Sequence, residues 1–296
     1  MNTRHAGLAC TGIKVAPFLD RKMNSIGLQK ISVLWIAVLL AVMVSPSYAD
    51  SAEFNSLYGE LLARYWRPAV RIHGTRTTVF DYTQMKQDAQ NANSLFNRTL
   101  RAIEQVDPTQ LQGTNAAKAF WINAYNFAAM RLVIDHYPVD SIRSLSISLI
   151  KYPWSKKAIR IGNNRYSLTQ IEKDILLRQF NDPRIVFAVS CAAVSCPDRT
   201  AKPFMAEYLD SQLDANIRSL FKNPDKGLRL NRAGRTLTLS WIINKDSRLF
   251  QDKKRGVLGF VLPYLDPDTR GWLNENTVTI DYFKHDWTLN DLAQVD

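Results

Sequence analysis

"AAKAFWINAYNFAAMRLVIDHYP", residues 116–138, is apolar nearly all round. A helix of that composition has no polar face to turn to water, so it has to be buried on most sides. It is read as the centre of the fold, ending before Pro138, which cannot continue a helix. Its polar residues then stand out. Asn123 and Asn126 are three apart and share a face. A buried amide must find partners, so the two either line a pocket or bond to loop backbone. Trp121 and Tyr125, four apart, share a face and suit the core better than ligand stacking, though both stay among the binding candidates.

Working outward, Phe54, Leu57, Tyr58, Leu61, Leu62 and Tyr65 recur at helical spacing, with Asp50 and Glu53 as a plausible helix start. "TTVFDY" (77–82) reads as a short strand and residues 85–106 as a looser helix. "AIRIGNNRYSL" (158–168) is strand, turn, strand, because Gly162, Asn163 and Asn164 tolerate positive φ. A helix from about Thr169 to Phe180 follows, with Thr169 and Glu172 spaced as a capping box. "IVFAVS" (185–190) is continuously apolar and predicts a buried strand. An amphipathic helix (203–221), a second hairpin (228–241) and a late strand, "VTIDYF" (278–283), complete the chain. Local hairpins and separate helices argue α+β. The expectation is a single globular domain with a buried central helix, a small mixed sheet with hairpins and several surface helices.

"ISVLWIAVLLAVMV" (31–44) is too short to span a bilayer and is followed by "SPSYA". Lys30 before it and the small residues Ser47 and Ala49 after it predict a secretory signal over residues 23–49, cut after Ala49. Residues 1–22 then read as an over-extended start and residues 50–296 as the domain. Residues 1–49 carry five basic residues and one acidic, so their removal lowers the formal charge from +11 to +7. That scattered, mildly basic surface does not suit nucleic acid. The expected location is periplasmic or secreted, with no membrane segment left after cleavage. The expected partner is a small-molecule or peptide ligand.

Cys191 and Cys196 lie five apart in "FAVSCAAVSCPDR" (187–199). Two readings stay open. In one, Cys191 is a nucleophile, His285 (with Asp286 beside it) its base, and Asn126 or Asn123 orients or donates to an oxyanion. In the other, removing Cys10 with the signal leaves an even pair that bridges in an oxidising compartment. Two cysteines and three scattered histidines give no accepted metal-ligand spacing, and no cofactor is assigned. Glu172, Arg184 (with Asp182) and Asp246 are further binding candidates.

The blocks "KAFWINAYN" (118–126), "YSLTQIEKDIL" (166–176), "DPRIVFAVSCAAVSCP" (182–197) and "HDWTLN" (285–290) together resemble the family catalogued as domain of unknown function 547. The resemblance covers most of residues 55–290 and implies a domain and a set of positions rather than a reaction. Three departures stand out. Lys173 and Val186 occupy positions where the family pattern usually has His, and His285 stands where it usually has Tyr. The functional expectation is a thiol-dependent hydrolase or acyl transferase acting on an amide or ester through Cys191. The alternative is a non-catalytic ligand- or protein-binding periplasmic domain whose disulfide braces the pocket loop. The pocket is expected around the cysteine loop, the Asn face of the central helix and the "HDW" segment.

Overall fold

The computed structural model describes residues 46–150, 152–251 and 256–296, with side chains from residue 51 onward. The signal segment expected over 23–49 lies outside them, apart from four terminal positions that begin helix α1 (Pro46–Tyr65). Asp50 therefore sits inside α1 and not at its cap, because the residues before it are already helical. The chain then forms an antiparallel hairpin, β1 (Trp66–Ile72) with β2 (Thr75–Phe80). Strand β1 was not anticipated, since Arg67, Pro68 and Arg71 break its apolar pattern.

The single helix expected over 85–106 is two: α2 (Tyr82–Asp88) and α3 (Leu95–Gln105). The break has a local cause. Ser94 accepts from the Asn97 backbone N–H and caps α3, while Asn97 Nδ2 donates to the carbonyls of Ala89 and Asn91.

Helix α4 (Asn115–His136) is the expected central helix. Thr114 caps it by accepting from Ala117 N at 3.1 Å, and every residue from Ala117 to Met130 is buried. Around it pack α1, α2, α3 and the hairpin β3 (Lys157–Ile161) with β4 (Asn164–Ser167). Gly162 turns this hairpin at φ +55°, and a Cβ there would meet Val106 O and Pro108 Cδ at 3.0 Å.

The helix after β4 is a π-helix over Gln170–Leu177 that runs on to Phe180. Its capping box lies two residues earlier than expected. Ser167 Oγ accepts from Gln170 N, and Gln170 Oε1 accepts from Ser167 N. Thr169 makes no cap bond, so Glu172 is not a cap residue.

Residues 185–190 are buried as expected but are not a strand. Pro183–Phe187 is a 3-10 helix and the chain then turns. The continuous apolar run has another cause, because this segment lies between two cores. Ile185, Ala188 and Val189 pack in the core around α4. Val186 and Phe187 pack in a second core with α5 (Leu209–Phe221), α6 (Trp241–Lys245) and a three-stranded sheet. That sheet is mixed: β6 (Thr236–Leu239) pairs antiparallel with β5 (Leu228–Asn231) and parallel with β7 (Thr279–Tyr282). The fold is α+β, with a buried central helix, two hairpins and this small mixed sheet. No described helix is long and apolar enough to cross a membrane.

Phe187 is fully buried against Phe221, Phe250 and Phe260. Phe187→Ala should lower unfolding stability by about 3–5 kcal/mol, and Ser167→Ala by about 1 kcal/mol. Denaturant midpoints at constant slope check both values; a Phe187→Ala loss no larger than that of Ser167→Ala would refute the two-core account.

Candidate functional site

The site is assembled by backbone pairing between two segments about ninety residues apart. Val194 N donates to Thr288 O at 2.9 Å and Asn290 N to Ala192 O at 3.1 Å, and Ala193 and Leu289 form an antiparallel bridge. Ser195 Oγ accepts from Asp286 N at 2.9 Å. This clip carries the "HDW" segment onto the cysteine loop. Beneath the loop, the buried Lys226 ammonium donates to Val194 O, Thr77 Oγ1 and Asp198 Oδ1 at 2.7–2.9 Å. Burial pulls the Lys226 pKa down, and Asp198 opposes that shift.

Cys191 and Cys196 are bridged, with α-carbons 6.4 Å apart, within the range a disulfide accepts. Ala192 takes a left-handed conformation, φ 57°, which lets so short a loop close. The His285 ring lies beside the bridge, and one ligand atom from each of Cys191, Cys196 and His285 falls within 4.8 Å of the others. The three residues that sequence spacing kept apart are thus a cluster with the donor types of a soft-metal site. Both sulfurs are committed to the bridge, so only the reduced pair could hold a cation.

His285 packs between Trp241 and Trp287, at ring-centroid distances of 4.5 and 4.1 Å. Neither of its ring nitrogens has a hydrogen-bond partner, and both are buried. Burial holds its pKa down to about 4; Asp286 works the other way, and Lys245, Lys226 and Arg143 add to the depression. The imidazole is therefore neutral near pH 7, with a lone pair available.

Two adjoining cavities surround these groups. The inner one, about 40 Å³, is lined by Tyr125, Glu172, Val186, both cysteines and His285, among others. The outer one, about 280 Å³, is walled by Tyr152, Trp154, Trp241 and Trp287, with Arg143 and Lys173 at its edge. Trp154, Trp241, Glu172, Lys245 and Trp287 line both. Lys245 Nζ donates to Glu172 Oε1 at 2.9 Å and to Asp246 Oδ2 at 3.1 Å. Burial acts to lower the Lys245 pKa, but the two carboxylates prevail and raise it, so the ammonium keeps its charge. Burial, then Glu172, pushes the Tyr125 phenol well above its usual range, leaving it a neutral donor.

The expected residues thus divide. Cys191, Cys196, His285, Glu172 and Tyr125 meet at the cavity, and Asp246 reaches it through Lys245. Asn126 does not orient His285. Its Nδ2 donates to Ala188 O and its Oδ1 accepts from Ser190 N, both at 2.9 Å, so it holds the turn that leads into Cys191. Asn123 is likewise committed, to Asn55 and to the Phe204 backbone. Trp121 is core, edge-on to Phe120 and Tyr166. Arg184 belongs to an ion-pair network with Asp182, Asp210 and Asp214, away from both cavities. Arg143, Trp154, Trp241 and Lys245 were missed. Trp241 and Lys245 are the two ends of α6, Arg143 and Trp154 lie in turns before β3, and no local spacing marks any of them. Lys173 and Val186, where the family resemblance expected histidines, both face these cavities.

The fold and site define an α+β domain built around an aromatic-walled, disulfide-floored cavity. Residues 108–220 match the family described as "Protein of unknown function, DUF547". The matched stretch contains both cysteines and Glu172 but ends before Trp241 and His285. No curated protein and no solved structure matches the chain.

His285 has a folded pKa below its ordinary 6.5, so the unfolded chain binds the extra proton. Its contribution to stability is full above pH 6.5 and is lost as pH falls toward 4, about 3 kcal/mol in all. Between pH 7 and 4, thermal or denaturant unfolding should show the wild type losing that much more stability than His285→Phe. Parallel pH profiles would show that the imidazole is not held neutral.

Proposed function

We propose that this is an exported domain that binds a small ligand in the aromatic-walled cavity, with the Cys191–Cys196 bridge bracing the pocket loop. The observation that carries the reading is the pair of adjoining cavities. Indole faces line the outer one, and unpartnered buried imidazole nitrogens stand at the inner end. A cavity of that size, apolar with a few convergent polar groups, suits a small ligand. Its chemistry follows from the lining: a planar or apolar body to lie against Trp154, Trp241 and Trp287, and an acceptor or anionic group for Arg143 and Lys245. A closed bridge suits an oxidising compartment, which is consistent with export.

The second reading is acyl transfer by the reduced protein. It is favoured by the closeness of His285 to Cys191. With the bridge reduced by an external dithiol, neutral His285 would take the Cys191 proton, the thiolate would add to the carbonyl carbon of an amide or ester, and the C–N or C–O bond would break as His285 returns the proton to the departing amine or alcohol, leaving a thioester. Peptide-level mass after alkylation without reductant separates the two. In the binding reading, Cys191 and Cys196 stay unlabelled until reduced. Rapid labelling of Cys191 near neutral pH would overturn it in favour of acyl transfer.

Ligand screening by indole fluorescence should find compounds whose signal disappears in Trp241→Ala, with affinity lowered about tenfold or more, and survives Trp121→Phe. Hits indifferent to Trp241 would sink the assignment of the cavity.

A further inference from the structure

From Ser141 to Gln170 the chain contains no acidic residue and six basic ones: Arg143, Lys151, Lys156, Lys157, Arg160 and Arg165. Within this stretch lie the most exposed large apolar side chains of the described residues, Leu149 at 87% and Ile150 at 77%, flanked by exposed Leu145 and Tyr152. They project from an irregular loop whose backbone is held by Lys156, which donates to Ile147 O at 3.1 Å.

Among the described residues, Arg143, Lys156, Lys157, Arg160 and Arg165 have no carboxylate partner in an ion pair. The hydrogen-bond partners of Lys156 are the Ile147 carbonyl and His136, and that of Lys157 is the Gln170 amide oxygen, none of them a carboxylate. Arg143 lies over the Trp287 ring at 4.9 Å. Arg160 and Arg165 are direct cross-strand partners on the β3–β4 hairpin, both exposed. Like charges directly opposite one another are unfavourable in a hairpin unless an anion shares them.

Exposed aliphatic side chains on a loop with a basic surround match the interface of an anionic bilayer. We infer that residues 143–165 dock this domain on an anionic lipid surface, with Leu149 and Ile150 entering the acyl boundary and the basic residues meeting the headgroup charge. Arg160 and Arg165 need not touch lipid, since their attraction reaches about 8–10 Å at ordinary salt. A second copy of the chain is a poor occupant, because the same basic surface would face itself. Arg143, Tyr152 and Trp154 also line the outer cavity, so a docked domain would hold that cavity close to the lipid.

The test is hydrogen exchange of residues 144–152 in the full chain. This readout is local to the loop and independent of the apolar run at 31–44. The vesicles are phosphatidylcholine alone or with about 30% phosphatidylglycerol. Protection of 144–152 is expected with the anionic vesicles only, and it should weaken as salt rises. Leu149→Asp with Ile150→Asp should abolish it, and because both positions are exposed the thermal midpoint should not move. Lys156→Glu with Lys157→Glu should raise the anionic-vesicle concentration needed for half-protection of 144–152 about tenfold or more. No protection with anionic vesicles, or equal protection by phosphatidylcholine alone, would overturn the inference. Protection that follows protein concentration without vesicles would overturn it in favour of self-association.

Discussion

The backbone clip between residues 192–195 and 286–290 is the constraint on which the site depends. Val194, Ser195 and Asn290 donate across it, and Leu289 N donates onward to Asp140 O. The same segment reaches the first hairpin, where Phe80 N donates to Asn290 O. One short stretch of chain thus ties together the cysteine loop, the first hairpin and the turn after α4. Removing it would leave His285 and Trp287 with no place beside the bridge. It would also strip the cysteine loop of half its backbone partners, which buried polar groups cannot forgo.

Around the clip, charge and aromatic packing divide the work. Asn126 and Lys226 hold the loop from two sides, one through a neutral amide and the other through a buried ammonium paired with Asp198. Trp241 and Trp287 hold the imidazole between them and keep water away, which is why its proton is lost so readily. Lys245 and Glu172 bring charge to the cavity lining, and Asp246 pairs with Lys245. These are pre-positioned polar groups in an apolar recess, the arrangement that both ligand binding and acyl transfer require. The closed bridge favours binding, because a sulfur in a disulfide is not a nucleophile.

Sequence pattern read some elements well and others poorly, for physical reasons. The helix over Asn115–His136 was legible because fourteen consecutive buried positions leave no amphipathic alternative. Both later hairpins were legible because their turns need Gly or Asn. The apolar run at 185–190 misled because continuous burial marks a segment between two cores as strongly as it marks a central strand. The capping box slid by two residues because Ser167 and Gln170 offer the same chemistry as Thr169 and Glu172.

The sequence by itself determined the buried helix, the α+β class and the pair of cysteines near enough to bridge. Those features are local: each is written in periodicity, turn chemistry or spacing within about twenty residues. Only the tertiary structure decided that Asn126 positions a turn, that Arg184 belongs to a distant ion-pair network, and that Trp154, Trp241 and Lys245 wall the cavity. These residues lie far apart in the chain and meet through long-range backbone pairing and shared burial. No local pattern carries that information, because the free energy that brings them together comes from contacts between segments and not from any one of them.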